Sequence, residues 1–485
     1  MHYFTSTRDI NNQKTASMAV LEGLSKEGGL YSPRLSEYQP LALEELLNLS
    51  YKDLAVKIIS YILDDYTNEE IKDAVYKAYD DKFDTDEIVK VNYKNNIPVL
   101  ELYHGPTCAF KDMALTVLPH LLVKAYKKAN EDKKILILTA TSGDTGKAAL
   151  EGFKDVENTY ICVFYPKEGV STVQQKQMLT TGGNNTCVIK LEGNFDDCQK
   201  VVKECFNLEL DKVKLSSANS INLGRLMPQV VYYFYAYLKL VKDKRIKMND
   251  KISFSVPSGN FGDILAGYIA KKLGCPINKL ICASNRNDVL TEFINTGYYN
   301  ANRTFYTTIS PSMDILVSSN VERLLYFLSD DTKLVKSYMD DLKNKGSYKV
   351  NDEIFKEIKE NFVAYSFDDL SCKKTIKDLY NVDAKVIDPH TALAYEACKV
   401  YKKENNEEVV CLSTASPYKF AKDVYLSIKD DVQADDFAYL TKLEEIGDEK
   451  IPSSLRNLNL LEDRHNNLVT KDNAKDFIIR KVETL

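Results

Sequence analysis

The sequence predicts an α/β protein built on parallel sheets, and three observations carry that reading. Short continuous apolar runs such as Lys134-Ile-Leu-Ile-Leu-Thr139 and Lys251-Ile-Ser-Phe-Ser-Val256 suit strands buried on both faces. Each is followed by a turn of small polar residues and then by a segment of helical period, so strands and helices alternate. At 485 residues the chain exceeds what one hydrophobic core usually organises, so two or three domains are expected.

Residues 1–95 read as a separate, mostly helical unit. An amphipathic run at 17–24 is closed by the turn Gly28-Gly-Leu-Tyr-Ser-Pro33, and helical patterns follow at 43–62 and 68–79. This unit is acidic, has no catalytic constellation and reads as a packing or lid module. From about 96 the pattern changes. Strands are expected at 98–102, 134–139, 160–164, 187–191, 251–256, 280–284, 384–387 and 408–412. Helices are expected at 147–153, 195–206 with Asn194 as N-cap, 226–241, 264–273 and 289–294. Residues 312–380 are helical and charge-rich and read as an insertion or cover. After about 430 the chain reads as irregular and acidic, ending in an apolar stretch at 477–482.

Composition excludes several classes of function. The chain is 44% hydrophobic and 28% charged, with a net charge of -6, so no basic surface for nucleic acid or an anionic membrane is offered. No apolar run approaches a membrane span, and the N-terminus lacks a signal-peptide core, so a cytoplasmic protein is expected. Ten cysteines without a CxxC pair read as reduced core residues. Five histidines without ligand spacing argue against a metal site. An anionic substrate would therefore be drawn by a few local groups.

Those groups are found in loops. In Gly105-Pro-Thr-Cys-Ala-Phe-Lys111-Asp112, a turn leads into a helical pattern, and Lys111 stands at its entry between apolar neighbours. Partial desolvation lowers the pKa of such a lysine and favours the amine that forms a Schiff base with an aldehyde. The plainer alternative is a snorkelling lysine capped by Asp112. In Thr139-Ala-Thr-Ser-Gly-Asp-Thr-Gly146, helix-terminal N–H groups and the hydroxyls of Thr141, Ser142 and Thr145 suit a carboxylate or phosphate. In Pro257-Ser-Gly-Asn-Phe-Gly-Asp263, Gly259 and Gly262 allow close backbone approach, and the turn can hold a phosphate without a lysine. Arg225, after Asn219-Ser-Ile-Asn222, could clamp an anion or could be a surface ion pair. Ser413-Thr-Ala-Ser-Pro-Tyr-Lys-Phe420 brings hydroxyls to a cofactor's polar edge. Asp388-Pro-His-Thr391 stands at the same kind of strand end, and its His390 reads equally as a site residue or as a structural histidine. One cofactor suits this set: pyridoxal phosphate has an aldehyde for Lys111, a phosphate for 258–262 and a ring that acts as electron sink. A neutral hydroxyl such as Thr414 at the pyridine nitrogen would leave that nitrogen unprotonated.

Taken together, the motifs resemble the threonine synthase family. Ser6-Thr-Arg8, Gly28-Gly-Leu-Tyr-Ser-Pro33, His104–Asp112, Thr141–Gly146, Phe195-Asp-Asp197, Asn219–Arg225, Pro257–Asp263, Asp388–Ala392 and Ser413-Thr-Ala415 stand in the family's order. They run through nearly the whole chain, and the Ser-Gly-Asp-Thr-Gly form matches the longer branch. The resemblance implies a tryptophan-synthase-β-like fold of the type II pyridoxal-phosphate enzymes, with large and small parallel-sheet domains plus a mostly helical N-terminal domain. The division expected is 1–95 for the N-terminal domain, 96–135 with 225–485 for the large one (carrying the insertion at 312–380), and 136–224 for the small one.

The resemblance also implies conversion of O-phospho-L-homoserine and water to L-threonine and phosphate, by γ-elimination and then β-addition of water, as the last step of threonine biosynthesis. It implies Lys111 as the Schiff-base lysine and Asp144 at the cofactor's ring hydroxyl. Ser258, Gly259, Asn260, Phe261 and Gly262 would lie around its phosphate, and Thr414 at the pyridine nitrogen. Thr141, Ser142, Gly143 and Thr145 would take the substrate carboxylate, and Asn222 and Arg225 its phosphate. No metal is implied, and a monomer or homodimer is expected. Many members have His where this chain has Ser416, so any role of that histidine does not carry over. A related phospho-lyase releasing an α-keto acid, or a cofactor-binding homologue without turnover, remains open at this level.

Overall fold

The structure, a computed structural model, describes residues 1–484 apart from the side chain of Asp196, so that part of the Phe195-Asp-Asp197 motif lies outside the described residues. Two sheets carry the architecture. The first has six strands in the order Phe362–Ser366, Ile277–Ser284, Ile252–Pro257, Val409–Ser413, Ile97–Glu101 and Lys90–Lys94. Its neighbours run parallel except for the final hairpin, where Lys90–Lys94 returns antiparallel along Ile97–Glu101. The second is fully parallel, in the order Asn467–Val469, Thr186–Leu191, Thr159–Pro166, Lys134–Ala140 and Val213–Ser216. Ile252–Pro257 and Thr159–Pro166 are buried at every residue, which is why their runs read as continuously apolar. Because the strands are parallel, the loops that follow them open at one edge of each sheet. Ser258 follows Pro257, Thr414 follows Ser413, and Thr141 follows Ala140. All ten cysteines are buried and unpaired. Among the described residues no helix is long and apolar enough to cross a membrane.

The N-terminal residues do not stand apart. The helices Tyr51–Ile62 and Asn68–Ala78 place their apolar faces in the same core as Phe254 and Leu412 of the first sheet. The Tyr79 hydroxyl donates to the Met113 carbonyl at 2.6 Å, and the Tyr66 hydroxyl to that of Leu121 at 3.2 Å. Phe4–Ser6 also pairs antiparallel with Asp9–Lys14 and with Tyr31–Pro33. Phe4–Ser6 and Tyr31–Pro33 are too short to show an alternation, and Asp9–Lys14 has one apolar residue, so the sequence signal there is only helical.

Several expectations need correction. The 312–380 stretch is not wholly helical cover: Phe362–Ser366 inside it is the edge strand of the first sheet, parallel to Ile277–Ser284. Residues 384–387 form no strand, because the helix Asp369–Asp383 runs up to a left-handed Ala384. Val386 and Ile387 are buried there as apolar plugs, and the Val386 N–H donates to Asp448. The chain after 430 contains the helix Ala438–Ile446. Its end returns to the second sheet: Asn467–Val469 pairs with Thr186–Leu191, and Ala474, Ile478 and Val482 of the last helix join Cys198 and Val202 in that sheet's core. The C-terminal residues thus leave the large unit to which the sequence reading assigned them. A three-residue strand carries no address in its own sequence; the apolar stripe of the following helix determines where it docks.

Candidate active site

Lys111 is placed by the stitching of two loops. Ala109 forms an antiparallel bridge with Ala415, the Phe110 N–H donates to the Thr414 carbonyl at 2.8 Å, and the Ser416 N–H donates to the Cys108 carbonyl at 3.0 Å. The helix Asp112–Leu115 then begins. Asp112 does not cap Lys111. Its carboxylate turns back and accepts from the Thr107 N–H at 2.8 Å and the Thr107 hydroxyl at 2.6 Å. Burial pushes the Asp112 carboxyl up to about 6 against those bonds. Gly105 is required beside it, since a Cβ there would lie 2.6 Å from the Asp112 side chain.

The partner of Lys111 comes from the other sheet. Its Nζ lies 3.4 Å from Oδ2 of Asp144, the first residue of the helix Asp144–Phe153. Burial lowers the Lys111 pKa; Asp144 opposes that effect, and the nearby charges of Arg225 and Lys419 reinforce it. Asp144 is held on its other oxygen, Oδ1, by Lys419 Nζ at 2.7 Å and by Gln174 Nε2 at 2.8 Å. Burial disfavours its charge, but Lys419 and Lys111 outweigh that and hold the carboxyl well below the usual carboxylate range. The Thr141 hydroxyl accepts from the N–H groups of Gly143 and Gly146 at 2.9 and 2.8 Å, so the loop is folded in advance. Gly143 has φ 142°, and a Cβ there would meet the Gln174 amide at 2.6 Å.

Arg225 is buried and is not a surface ion pair. Its Nη1 donates to the Ala218 carbonyl at 2.8 Å and its Nη2 reaches the Thr145 hydroxyl at 3.5 Å. Among the described residues it has no carboxylate partner, and burial pulls its pKa down to about 10. A buried cation without an anion is costly, so an anion brought beside this guanidinium would be favoured. The turn 258–262 lies at the end of Ile252–Pro257 and at the start of the helix Gly262–Lys272, whose first N–H groups have no partner within the helix. Phe261 is left-handed at φ 61°, and a Cβ on Gly259 would meet the Ser312 carbonyl at 2.7 Å. Asn320 holds the Asn260 carbonyl through its N–H at 3.1 Å and Nδ2 at 3.2 Å. The Thr414 hydroxyl has no hydrogen-bond partner among the described residues.

Three family profiles match the chain: "Threonine synthase N terminus" over residues 3–79, "Pyridoxal-phosphate dependent enzyme" over 92–415, and "Threonine synthase, C-terminal" over 391–478. The threonine synthase of Pseudomonas aeruginosa is 39% identical over 413 residues, covering 84% of this chain and 86% of that one. That of Saccharomyces cerevisiae is 36% identical over 457 residues, covering 87% and 88%. The chain belongs to the threonine synthase family. The crystal structure of pyridoxal-phosphate-bound threonine synthase from Brucella melitensis matches it with TM-score 0.88 and 34% identity, covering 100% of this chain and 99% of that one. The yeast threonine synthase structure matches with TM-score 0.89 and 31% identity, covering 100% and 99%. The fold is accordingly that of the pyridoxal-phosphate enzymes, with parallel-sheet units and a helix-rich N-terminus.

Within this threonine synthase family member, one residue singled out from the sequence has its side chain already engaged. Asn222 cannot donate to a substrate phosphate: both protons of Nδ2 are committed, to the carbonyls of Val20 at 3.1 Å and Ser217 at 3.0 Å. Its Oδ1 caps the helix Leu223–Leu226 through the Gly224 N–H, so it sets the backbone that carries Arg225. Thr141 accepts from its own loop, which leaves its O–H free to donate. His390 is structural: its Nδ1 lies 2.7 Å from Asp388, and its Nε2 accepts from the Ser312 N–H at 3.2 Å, bracing the strand-end turn around Gly259. Lys419 and Gln174 were missed. Lys419 is fully buried and also donates to the Thr107 carbonyl at 2.8 Å. Its signal was available, because Lys419-Phe420 after a proline turn repeats the apolar-flanked setting of Phe110-Lys111. Ser416 caps the short turn Pro417–Phe420 that presents Lys419.

Proposed function

We propose that this chain is a pyridoxal-phosphate-dependent threonine synthase that converts O-phospho-L-homoserine and water to L-threonine and phosphate. The observation that carries the reading is a buried Arg225 with no carboxylate partner among the described residues, close enough to disfavour the charge of a buried Lys111. The residues present fit the cofactor. Lys111 would anchor it covalently, the 258–262 turn would hold its phosphate, Asp144 would meet its ring hydroxyl, and Thr414 would face the pyridine nitrogen. When bound, it supplies a sink for the electrons left by a departing α-proton. The chain's own part is then positioning and proton transfer. The N–H groups of 142–145 receive the substrate carboxylate, and Arg225 receives the phosphate that leaves C-γ with its bonding pair. Lys111 Nζ, whose pKa burial lowers, accepts the α-proton and then a β-proton, whose electrons expel the phosphate from C-γ; it returns protons at C-γ before water adds at C-β, and at C-α last. Asp144 stays charged throughout, held by Lys419.

The first sheet with residues 96–135 and 225 up to the C-terminal strand forms the large unit of this reading. The second sheet with 136–224 and the C-terminal strand and helix forms the small one. A cytoplasmic monomer or homodimer completes the proposal; buried, unpaired cysteines suit a reducing compartment. The deciding assay incubates the holoenzyme with O-phospho-L-homoserine and follows products. Equal amounts of threonine and phosphate are expected. Phosphate with 2-oxobutyrate would mean a lyase, and no phosphate would mean a homologue without turnover.

Two substitutions probe single contacts. Arg225→Gln is expected to lower kcat/KM by roughly ten- to a hundredfold, the worth of a charge-assisted hydrogen bond of about 1.5–3 kcal/mol. Inhibition by inorganic phosphate should weaken, with the cofactor's visible spectrum unchanged. A fall in Tm with phosphate inhibition unaltered would make Arg225 structural. Thr414→Asp should protonate the pyridine nitrogen, shift that spectrum and divert turnover from synthesis towards elimination. An unshifted spectrum in this variant would remove Thr414 from the ring.

A further inference from the structure

Two motifs of the N-terminal residues, Ser6-Thr-Arg8 and Gly28–Pro33, stand outside the proposed chemistry. They converge on the start of one helix, Val321–Ser329. Glu322 is buried there and accepts from Arg8 Nε at 2.8 Å, from Arg8 Nη2 at 2.7 Å and from the Thr7 hydroxyl at 2.5 Å. Arg323 is fully buried and spends its N–H groups on neutral acceptors. Its Nε and Nη2 donate to the Tyr31 carbonyl, each at 3.2 Å. Nη2 also donates to the Ile221 carbonyl at 2.5 Å, and Nη1 to the Ser220 carbonyl at 3.4 Å and to Asn320 Oδ1 at 2.6 Å. Asn320 is fully buried as well and carries the link onward. Its Nδ2 donates to the carbonyls of Ser220 and Asn260, both at 3.2 Å. The neighbouring Ser318 hydroxyl donates to the Gly259 carbonyl at 2.7 Å.

One helix start thus clamps two segments. Ser220 and Ile221 lead into Asn222, whose cap sets the helix that carries Arg225. Gly259 and Asn260 belong to the turn that follows Ile252–Pro257. The geometry points to Asn320 and Arg323 as positioning residues that fix the Arg225 loop against the 258–262 turn, with the N-terminal sheet as their footing. This role rests on Arg225 receiving the substrate phosphate. Phosphates received on the two segments repel each other, so the segments need a tie that holds against that push. Hydrogen bonds buried away from water supply it. By this route the N-terminal residues act on the site at one remove.

The test titrates inorganic phosphate calorimetrically onto the holoenzyme, with L-threonine, which carries no phosphate, as a second probe. The variants are Arg323→Lys, Asn320→Ala, Arg225→Gln, and Asn320→Ala combined with Arg225→Gln. Asn320→Ala strands no carbonyl, because Asn260 keeps the Asn320 N–H at 3.1 Å and Ser220 keeps Arg323. It therefore keeps the test readable if Arg323→Lys does not fold. Phosphate binding is expected to weaken roughly tenfold in either variant, and L-threonine binding by less than about twofold, because a displaced Arg225 is felt only by phosphate. On top of Arg225→Gln, Asn320→Ala should weaken phosphate binding no further, since both act on one contact. Equal loss for the two probes, or full additivity in the double variant, would reduce the clamp to a structural one and overturn the proposal. Phosphate binding lost in Arg225→Gln but kept in Asn320→Ala would overturn this proposal alone. Phosphate binding kept in Arg225→Gln would overturn the substrate-phosphate reading beneath it.

Discussion

Lys111→Ala is expected to abolish threonine formation while leaving a folded protein. Proton transfer by a positioned base is itself worth about 10²–10⁴-fold, and covalent anchoring of the cofactor is lost with it. Folding should survive because Asp144 keeps its shorter ion pair, to Lys419 at 2.7 Å, and its hydrogen bond from Gln174. No carboxylate is stranded, and the substitution removes a cation whose burial is unfavourable. The checks are a phosphate-release assay, a melting curve and borohydride reduction of the holoenzyme. Cofactor held through its phosphate alone is compatible with this role, but a borohydride-fixed adduct in this variant would remove Lys111 from it.

Lys419→Met should act on both stability and pH dependence. Breaking a buried ion pair by removing one partner costs about 3–5 kcal/mol, because the remaining charge is uncompensated. Asp144 would then rely on Lys111, now 3.4 Å away. Two changes raise the Lys111 pKa: a neighbouring positive charge disappears, and the Asp144 carboxylate turns wholly to it. The sign follows. A raised lysine pKa means less free amine at a given pH, so the rising limb of the kcat profile should move to higher pH. A melting curve and a pH–rate profile read the two effects separately. Lost stability with an unmoved profile would confine Lys419 to holding the Thr107 loop, to which it donates at 2.8 Å.

Local signals made the main strands and the strand-end loops legible. Lys134–Ala140 and Ile252–Pro257 are buried on both faces, so their apolar runs needed no partner to be recognised. The left-handed or crowded positions at Gly143 and Gly259 stood out as glycines for the same reason: a Cβ has no room there. Elements that depend on a distant partner were not legible. Phe362–Ser366 is five residues within a helical, charged stretch, and Asn467–Val469 is three. The first is hidden by the helical patterns on both sides of it and the second is too short to display a period; each becomes a strand because a sheet edge awaits it.

The amino-acid sequence alone determined which strand-end loops are rich in small polar residues, that Lys111 is desolvated, and that the chain falls among pyridoxal-phosphate enzymes. Each of these rests on residues adjacent in the chain. Tertiary structure decided the partners. Only folding shows that Asp144 and not Asp112 faces Lys111, that Lys419 holds Asp144 from the far side, and that Arg225 is buried without an acid among the described residues while Asn222 is already spent. Ion pairing and hydrogen bonding act over a few ångströms of space. Lys111, Asp144 and Lys419 come from loops on two different sheets, and no spacing in the chain records that distance.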